Sequence, residues 1–149
     1  LIPDILRAFN LDKPVLVRNP KSTRPWQHVL EPLSGYLVLS EKLFLGGSGF
    51  AESWNFGPNE EDVKSVSYIL DYIVNNWGNK VEWKTDTKEQ PHEAQLLKLD
   101  ISKAKAKLGW EPKWSLHEAL DSIINWNSSF RSKEDMKQVT INQINQFLS

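Results

Sequence analysis

Apolar positions along the chain follow two periods, and each predicts its own elements. Val66, Ile69, Leu70, Ile73, Val74 and Trp77 recur at helical spacing and form one stripe. They predict a helix over Val66–Trp77, with Ser65 as N-cap and Gly78 as its stop. Leu116, Ala119, Leu120, Ile123 and Ile124 make a second stripe, opened by the Ser115/Glu118 capping-box pair. A short helix is expected from about Pro3 to Asn10, with Pro3 in its first turn, where a missing N–H costs nothing. Asp100 is placed to cap a helix over Ile101–Leu108 that Gly109 ends, and a polar, Asn/Gln-rich surface helix follows over about Lys133 to Leu148. Val15–Val17, Ser53–Phe56 and Val81–Thr85 read as short strands, and Asn19–Ser22 as a turn. The longest apolar segment, about Leu30 to Leu45, is shorter than a membrane span needs and reads as a buried helix running into Gly46-Gly47-Ser48-Gly49. The fold class is therefore mixed α/β or α+β, with helices in excess and few, short strands.

Composition narrows the classes of function. The 149 residues fit one domain, and a net charge of -1 supplies no bulk basic field for nucleic acid or an anionic membrane. Cysteine is absent, which removes disulfides, thiolate metal sites and cysteine nucleophiles. The seven tryptophans suit either a core or the walls of a ligand site. The chain begins at Leu1, and its one methionine is Met136, so it is expected to be part of a longer protein.

Several familiar chemistries do not match. Gly46–Gly49 lacks the dinucleotide-loop pattern, because Glu52 stands where the third glycine belongs and the glycines follow a helix. His92-Glu93 and His117-Glu118 begin like zinc-protease helices, but Leu96 and Asp121 occupy the second histidine positions. Gly47-Ser48-Gly49 has the wrong spacing for a serine nucleophile turn. Asn127-Ser128-Ser129 fits a glycosylation sequon but lies on a core-periodic helix.

Residues 13–37 carry the remaining signal. A strand leads into a loop with Arg18, Lys21 and Arg24, followed by Trp26-Gln27-His28 and the apolar helix. Three cations on one loop form a local anion site, and Arg24 has the planar fork that grips a diphosphate bidentately. The competing reading is a solvated loop with idle charges, and residue chemistry alone does not separate the two.

The run Arg24-Pro25-Trp26-Gln27-His28-Val29-Leu30-Glu31-Pro32-Leu33 resembles a signature of the extended short-chain dehydrogenase/reductase family of nucleotide-sugar enzymes. Pro25 and Glu31 depart from the general Arg-Asp-aromatic-x-x-Val-x-Asp pattern and are similar to the branch that dehydrates CDP-glucose. Trp54-Asn55-Phe56-Gly57-Pro58, Pro91-His92-Glu93-Ala94, Leu99–Ala104 and Leu108-Gly109-Trp110-Glu111-Pro112 resemble later family segments in the same order.

The resemblance implies a substrate-binding, C-terminal region spanning residues 1–149, with an NAD-binding Rossmann domain upstream and no catalytic residue in this stretch. It implies that Arg24 meets the diphosphate, that Val17 and Arg18 flank the base, and that His92 and Glu93 lie on the loop reaching ribose and phosphate. Many relatives carry a second phosphate arginine just before that loop, where this chain has Glu89 and Gln90. Trp26 is placed to line the ligand, whereas Trp77 and Trp110 read as structural and Asn55 as a turn residue. It further implies a nucleotide-sugar 4,6-dehydratase or a related epimerase or reductase, a homo-oligomer in the cytoplasm, working on deoxyhexose precursors of a surface polysaccharide. It also implies that the Leu30 helix and the Ser53–Phe56 segment weave back into the Rossmann half and leave an apolar patch without it. A non-catalytic carbohydrate-binding module and a helical interaction domain are the readings from other classes.

Overall fold

The computed structural model describes residues 1–78, 80–87 and 95–149. Its elements run α1 (Ile2–Asn10), β1 (Val15–Val17), β2 (Thr23–Pro25), α2 (Leu30–Gly46), β3 (Val63–Ser65), α3 (Val66–Asn76), β4 (Trp83–Thr85), α4 (Ser102–Leu108), α5 (Leu116–Arg131) and α6 (Met136–Leu148). Short 3₁₀ turns cover Gly47–Phe50 and Glu60–Asp62. The chain is mostly helical with a few three-residue strands, as the apolar periods predict.

The strands form two separate pairs. β1 lies parallel to β4, with Val15 opposite Trp83 and Val17 opposite Thr85. β2 lies antiparallel to β3, with Thr23 opposite Ser65, Arg24 opposite Lys64 and Pro25 opposite Val63. On its other side β2 meets residues 95–97: Thr23 N–H donates to the Gln95 carbonyl at 2.7 Å, and Leu97 N–H to the Thr23 carbonyl at 3.1 Å.

The main core gathers one stripe from each neighbouring element. Ile5 and Phe9 of α1, Val15 and Val17 of β1, Val66, Ile69, Leu70 and Ile73 of α3, and Leu116 and Leu120 of α5 are all buried there. The helix termini that frame this core are well capped. Ser65 accepts from the Tyr68 N–H, and the Ser115/Glu118 capping box forms as the spacing predicts. Gly78 and Gly109 take positive φ of 86° and 69°, which a Cβ would strain, so both act as stops. Asp100 accepts from the Ser102 N–H at 2.9 Å and secures the start of α4.

A second cluster packs Phe56, Ile101, Ala104, Leu108 and Trp110 against Val38 and Leu39 of α2. Here two sequence expectations are corrected. Ser53–Phe56 forms no strand: it alternates, but no partner strand among the described residues lies alongside it, and Phe56 is instead buried as a side chain of this cluster. α2 is also not a buried helix. Its buried residues are Glu31 and Gly35, while Leu37, Phe44 and Leu45 are 71%, 89% and 74% exposed. An apolar sequence on all sides of a helix requires cover on all sides, and these residues cover only the side facing Phe56. The exposed face is the patch expected of the weaving segment. Asn127 of the sequon is 4% exposed, so the folded chain withholds it from modification.

Candidate functional site

The cleft that draws the cationic segment together lies between β1, β2 and the start of α1. It has a volume of about 460 Å³, and Val17, Arg18, Arg24 and Trp26 all line it. Leu1, Asp4, Asn19 and Ser22 complete its polar and apolar rim. Four of the six residues singled out for binding therefore share one cavity. The other two, His92 and Glu93, lie outside the described residues.

Each lining residue is positioned by a traceable set of bonds. The Asn19–Ser22 turn closes through Ser22 N–H to the Asn19 carbonyl at 3.1 Å. It is then fixed by the first turn of α3: Ser67 N–H donates to the Pro20 carbonyl at 2.8 Å and Val66 N–H to the Ser22 carbonyl at 2.9 Å. A helix start carries N–H groups without helical partners, and this turn satisfies two of them while anchoring itself. Arg18 thus projects from the edge of a fixed turn and stays exposed. Arg24 is not on the loop, as expected from the residue pattern, but on β2, a strand hydrogen-bonded on both edges. Its Nη1 donates to the Thr23 carbonyl at 2.9 Å, and the side chain is half-buried. Lys21, the third cation of the segment, is exposed and does not line the cleft.

The residues after Arg24 bind three different parts of the chain. Trp26 Nε1 donates to the Lys64 carbonyl on β3 at 2.9 Å, while its ring packs on the main core. Gln27 Nε2 donates to the Phe56 carbonyl at 2.9 Å. His28 sets its ring edge to face against Trp114, 5.0 Å between centroids, and burial lowers its pKa from the usual imidazole range. Glu31 accepts from the Trp114 N–H at 2.8 Å and the Lys113 N–H at 3.1 Å. This string is the scaffold that holds Arg24 and Trp26 against the cleft. Sequence reasoning placed Trp26 beside the ligand and missed the tethering role of Trp26, Gln27 and His28.

Arginine forks beside a tryptophan and a β-strand floor can do one thing well. They can hold a planar ring joined to a phosphate group, with the cations on the anion and the apolar surface on the ring. Asp4 and Asn19, which the sequence reading passed over, add an acceptor and an amide to the rim. No spacing rule marks Asp4; its signal is an acidic side chain in the first turn of α1, the helix that packs on β1. Each of the seven tryptophans is buried or half-buried. Asn55 donates to the Asp100 carbonyl at 3.2 Å, a structural tie like that expected of it.

The chain is 49% identical over all 149 residues to CDP-glucose 4,6-dehydratase of Salmonella typhimurium. The chain is similar to the extended short-chain dehydrogenase/reductase enzymes in sequence and in fold. It spans 42% of that curated relative's length. Among solved structures, UDP-glucuronic acid 4-epimerase from Bacillus cereus, in complex with UDP-glucuronic acid and NAD, superposes with a TM-score of 0.71 at 21% identity. That match covers 85% of this chain and 39% of the epimerase. dTDP-glucose 4,6-dehydratase from Bacillus anthracis, in complex with NAD, superposes with a TM-score of 0.68 at 20% identity, covering 93% of this chain and 41% of that one. These structures share the fold of part of a short-chain dehydrogenase/reductase enzyme. No family model matches the chain. No helix among the described residues is long and apolar enough to cross a membrane.

Proposed function

We propose that residues 1–149 are the substrate-binding region of a CDP-glucose 4,6-dehydratase, an NAD-dependent lyase that converts CDP-glucose to CDP-4-keto-6-deoxyglucose. The observation that carries this reading is the 49% identity to the Salmonella enzyme, which extends over every residue of the chain. The cleft lined by Val17, Arg18, Arg24 and Trp26 supports it, because its chemistry suits a nucleoside diphosphate.

This region binds and orients. Arg24 takes the diphosphate, Val17 and Arg18 flank the base, and Trp26 walls the cleft. His92 and Glu93 are assigned to the ribose and phosphate on the family resemblance. Fixing the nucleotide at this end presents the sugar to the reacting groups, and that orientation lowers the entropic part of the barrier. The residues here do not fit NAD. A dinucleotide loop joins a strand to a helix, whereas Gly46–Gly49 closes α2 and continues into a 3₁₀ turn. NAD and the catalytic groups are therefore assigned to protein outside these residues, and no step is routed through them here. The whole enzyme is placed in the cytoplasm as a homo-oligomer, supplying deoxyhexose precursors for surface polysaccharide.

Calorimetric titration of the chain with CDP-glucose, CDP and free glucose tests the reading. The nucleotides should bind and glucose should not, and the chain with added NAD should form no 4-keto sugar. Binding of glucose without CDP would instead make it a carbohydrate module, and 4-keto sugar formation would place the catalytic groups in this region.

A further inference from the structure

Asp4 is the one carboxylate lining the Arg18–Arg24 cleft among the described residues. An anion in a cleft whose cations face a diphosphate works against that ligand unless a donor group of the ligand meets it. The Asp4 side chain is exposed along the cleft rim. Arg7, one turn on, donates to its Oδ1. The Arg7 guanidinium keeps the Asp4 carboxyl below the ordinary carboxylate range, so it is an anion at neutral pH. A carboxylate has about four acceptor sites on two oxygens, so this contact leaves room for a further donor.

The ligand parts sort by chemistry. Phosphate oxygens go to Arg24. The flat ring goes to Trp26 and the apolar side chains of β1. What remains for Asp4 is a ligand N–H or O–H group, because a carboxylate cannot donate. Cytosine carries such a group on its exposed edge, the N4 amino group, where uracil and thymine carry the O4 acceptor. A carboxylate meeting that edge attracts the first and repels the second.

We propose that Asp4 is the specificity-determining residue that selects cytosine over uracil in this cleft, its carboxylate accepting the N4 amino group. The proposal rests on the reading of the cleft as a nucleoside-diphosphate site and deepens it to the base.

The test titrates CDP, UDP and N4,N4-dimethyl-CDP into the chain and into Asp4→Asn, with thermal melts to confirm folding. The unaltered chain should prefer CDP over UDP by about tenfold, the scale of one hydrogen bond to a charged group. The dimethyl analogue, which lacks the donor, should fall to the level of UDP. In Asp4→Asn the amide can either accept or donate, so CDP should weaken, UDP should strengthen and the ratio should approach one. An unchanged ratio in Asp4→Asn would overturn the proposal. An equal loss of both nucleotides would overturn it too, and would give Asp4 to the ribose hydroxyls instead. If Asp4→Asn fails to fold, the dimethyl analogue on the unaltered chain decides alone, and its binding as tightly as CDP refutes the assignment. A chain that binds neither CDP nor UDP would instead remove the nucleotide-site reading itself.

Discussion

The Glu31 carboxylate, 1% exposed, accepts the Trp114 backbone N–H at 2.8 Å and so ties the first turn of α2 to the segment entering α5. The Lys113 N–H adds contacts of 3.1 Å to both carboxylate oxygens. These bonds join residues that are 82 and 83 positions apart, and they hold the strand-to-helix run that carries Arg24. Glu31→Ala strands two N–H groups and leaves a cavity, which should cost about 2–4 kcal/mol. Glu31→Gln keeps the shape but sets amide hydrogens toward one of those donors, and should cost about 1–2 kcal/mol. Denaturant unfolding of the three proteins checks the order.

The same residue predicts a pH dependence. Burial pushes the Glu31 carboxyl above its ordinary value of 4.5, and the N–H groups of Trp114 and Lys113 pull back only part of the way. A folded value above the unfolded one means that the folded state binds the proton more tightly. The stability this group contributes is present below the unfolded pKa and is lost as pH rises through the raised folded value. Measured against non-titrating Glu31→Gln, the unaltered chain should lose part of its advantage as pH climbs from about 4.5 toward neutrality. An advantage that grows across that interval would show that the backbone donors outweigh burial.

Gly35 packs its bare face on Phe56, and a Cβ built there would lie 2.3 Å from the ring. Something must therefore move on substitution, and the ring is wedged between Tyr36 and Trp110, at centroid distances of 5.5 and 4.9 Å. Gly35→Ala should destabilise by about 1–3 kcal/mol despite the better helix propensity of alanine. Combining it with Phe56→Leu should recover part of the loss relative to the sum of the single changes, because the smaller side chain vacates the contested space. Purely additive costs in that double-mutant cycle would show that the two residues do not press on one another.

Leu37, Phe44 and Leu45 leave an apolar face on α2 that water contacts directly. Such a patch favours association and binding of apolar dyes. The chain alone should enhance the fluorescence of an apolar-surface dye and self-associate as its concentration rises. Leu37→Lys with Phe44→Lys should reduce both effects without lowering the melting temperature by more than a few degrees, since neither side chain is in the core. Clean monomeric sedimentation with no dye response would contradict this.

The helices were legible because their information is local. Ser65, Ser115 with Glu118, Gly78 and Gly109 each mark a boundary through bonds or angles within a few residues, and all four act as the sequence predicts. β2 and β3 were not legible. Thr23–Pro25 and Val63–Ser65 hold an arginine, a lysine and a proline in three-residue strands, and only pairing with a segment some 40 residues away makes them strands. Ser53–Phe56 fails in the opposite sense: it has the alternation without the partner. The burial of α2 was misjudged because hydropathy reports a need for cover, not whether these residues supply it. In the site, residue type alone singled out Arg18 and Arg24, and the family resemblance added Val17. The tethers of Gln27 to Phe56 and Glu31 to Trp114, 29 and 83 positions apart, leave no periodic trace.

Arg24 supplies the sharpest test of the cleft. It lies on a strand bonded on both edges, opposite Lys64 across the β2–β3 pair, so its backbone is fixed while its half-buried side chain reaches the cavity. Its Nη1 donates to the Thr23 carbonyl at 2.9 Å, which orients the fork at the cleft. Arg24→Ala should weaken CDP binding by about 2–3 kcal/mol, the scale of charge-assisted contacts to phosphate. Arg24→Lys should recover only part of that loss, because a point charge does not match two phosphate oxygens at once. Cytidine, which carries no phosphate, should bind all three proteins alike, and that comparison separates lost phosphate contact from a deformed cleft. In the complete enzyme the loss should fall on substrate affinity more than on turnover, since the contact is remote from the reacting sugar. Unchanged CDP affinity in a folded Arg24→Ala protein would move the phosphate contact to Arg18, the other arginine of the cleft.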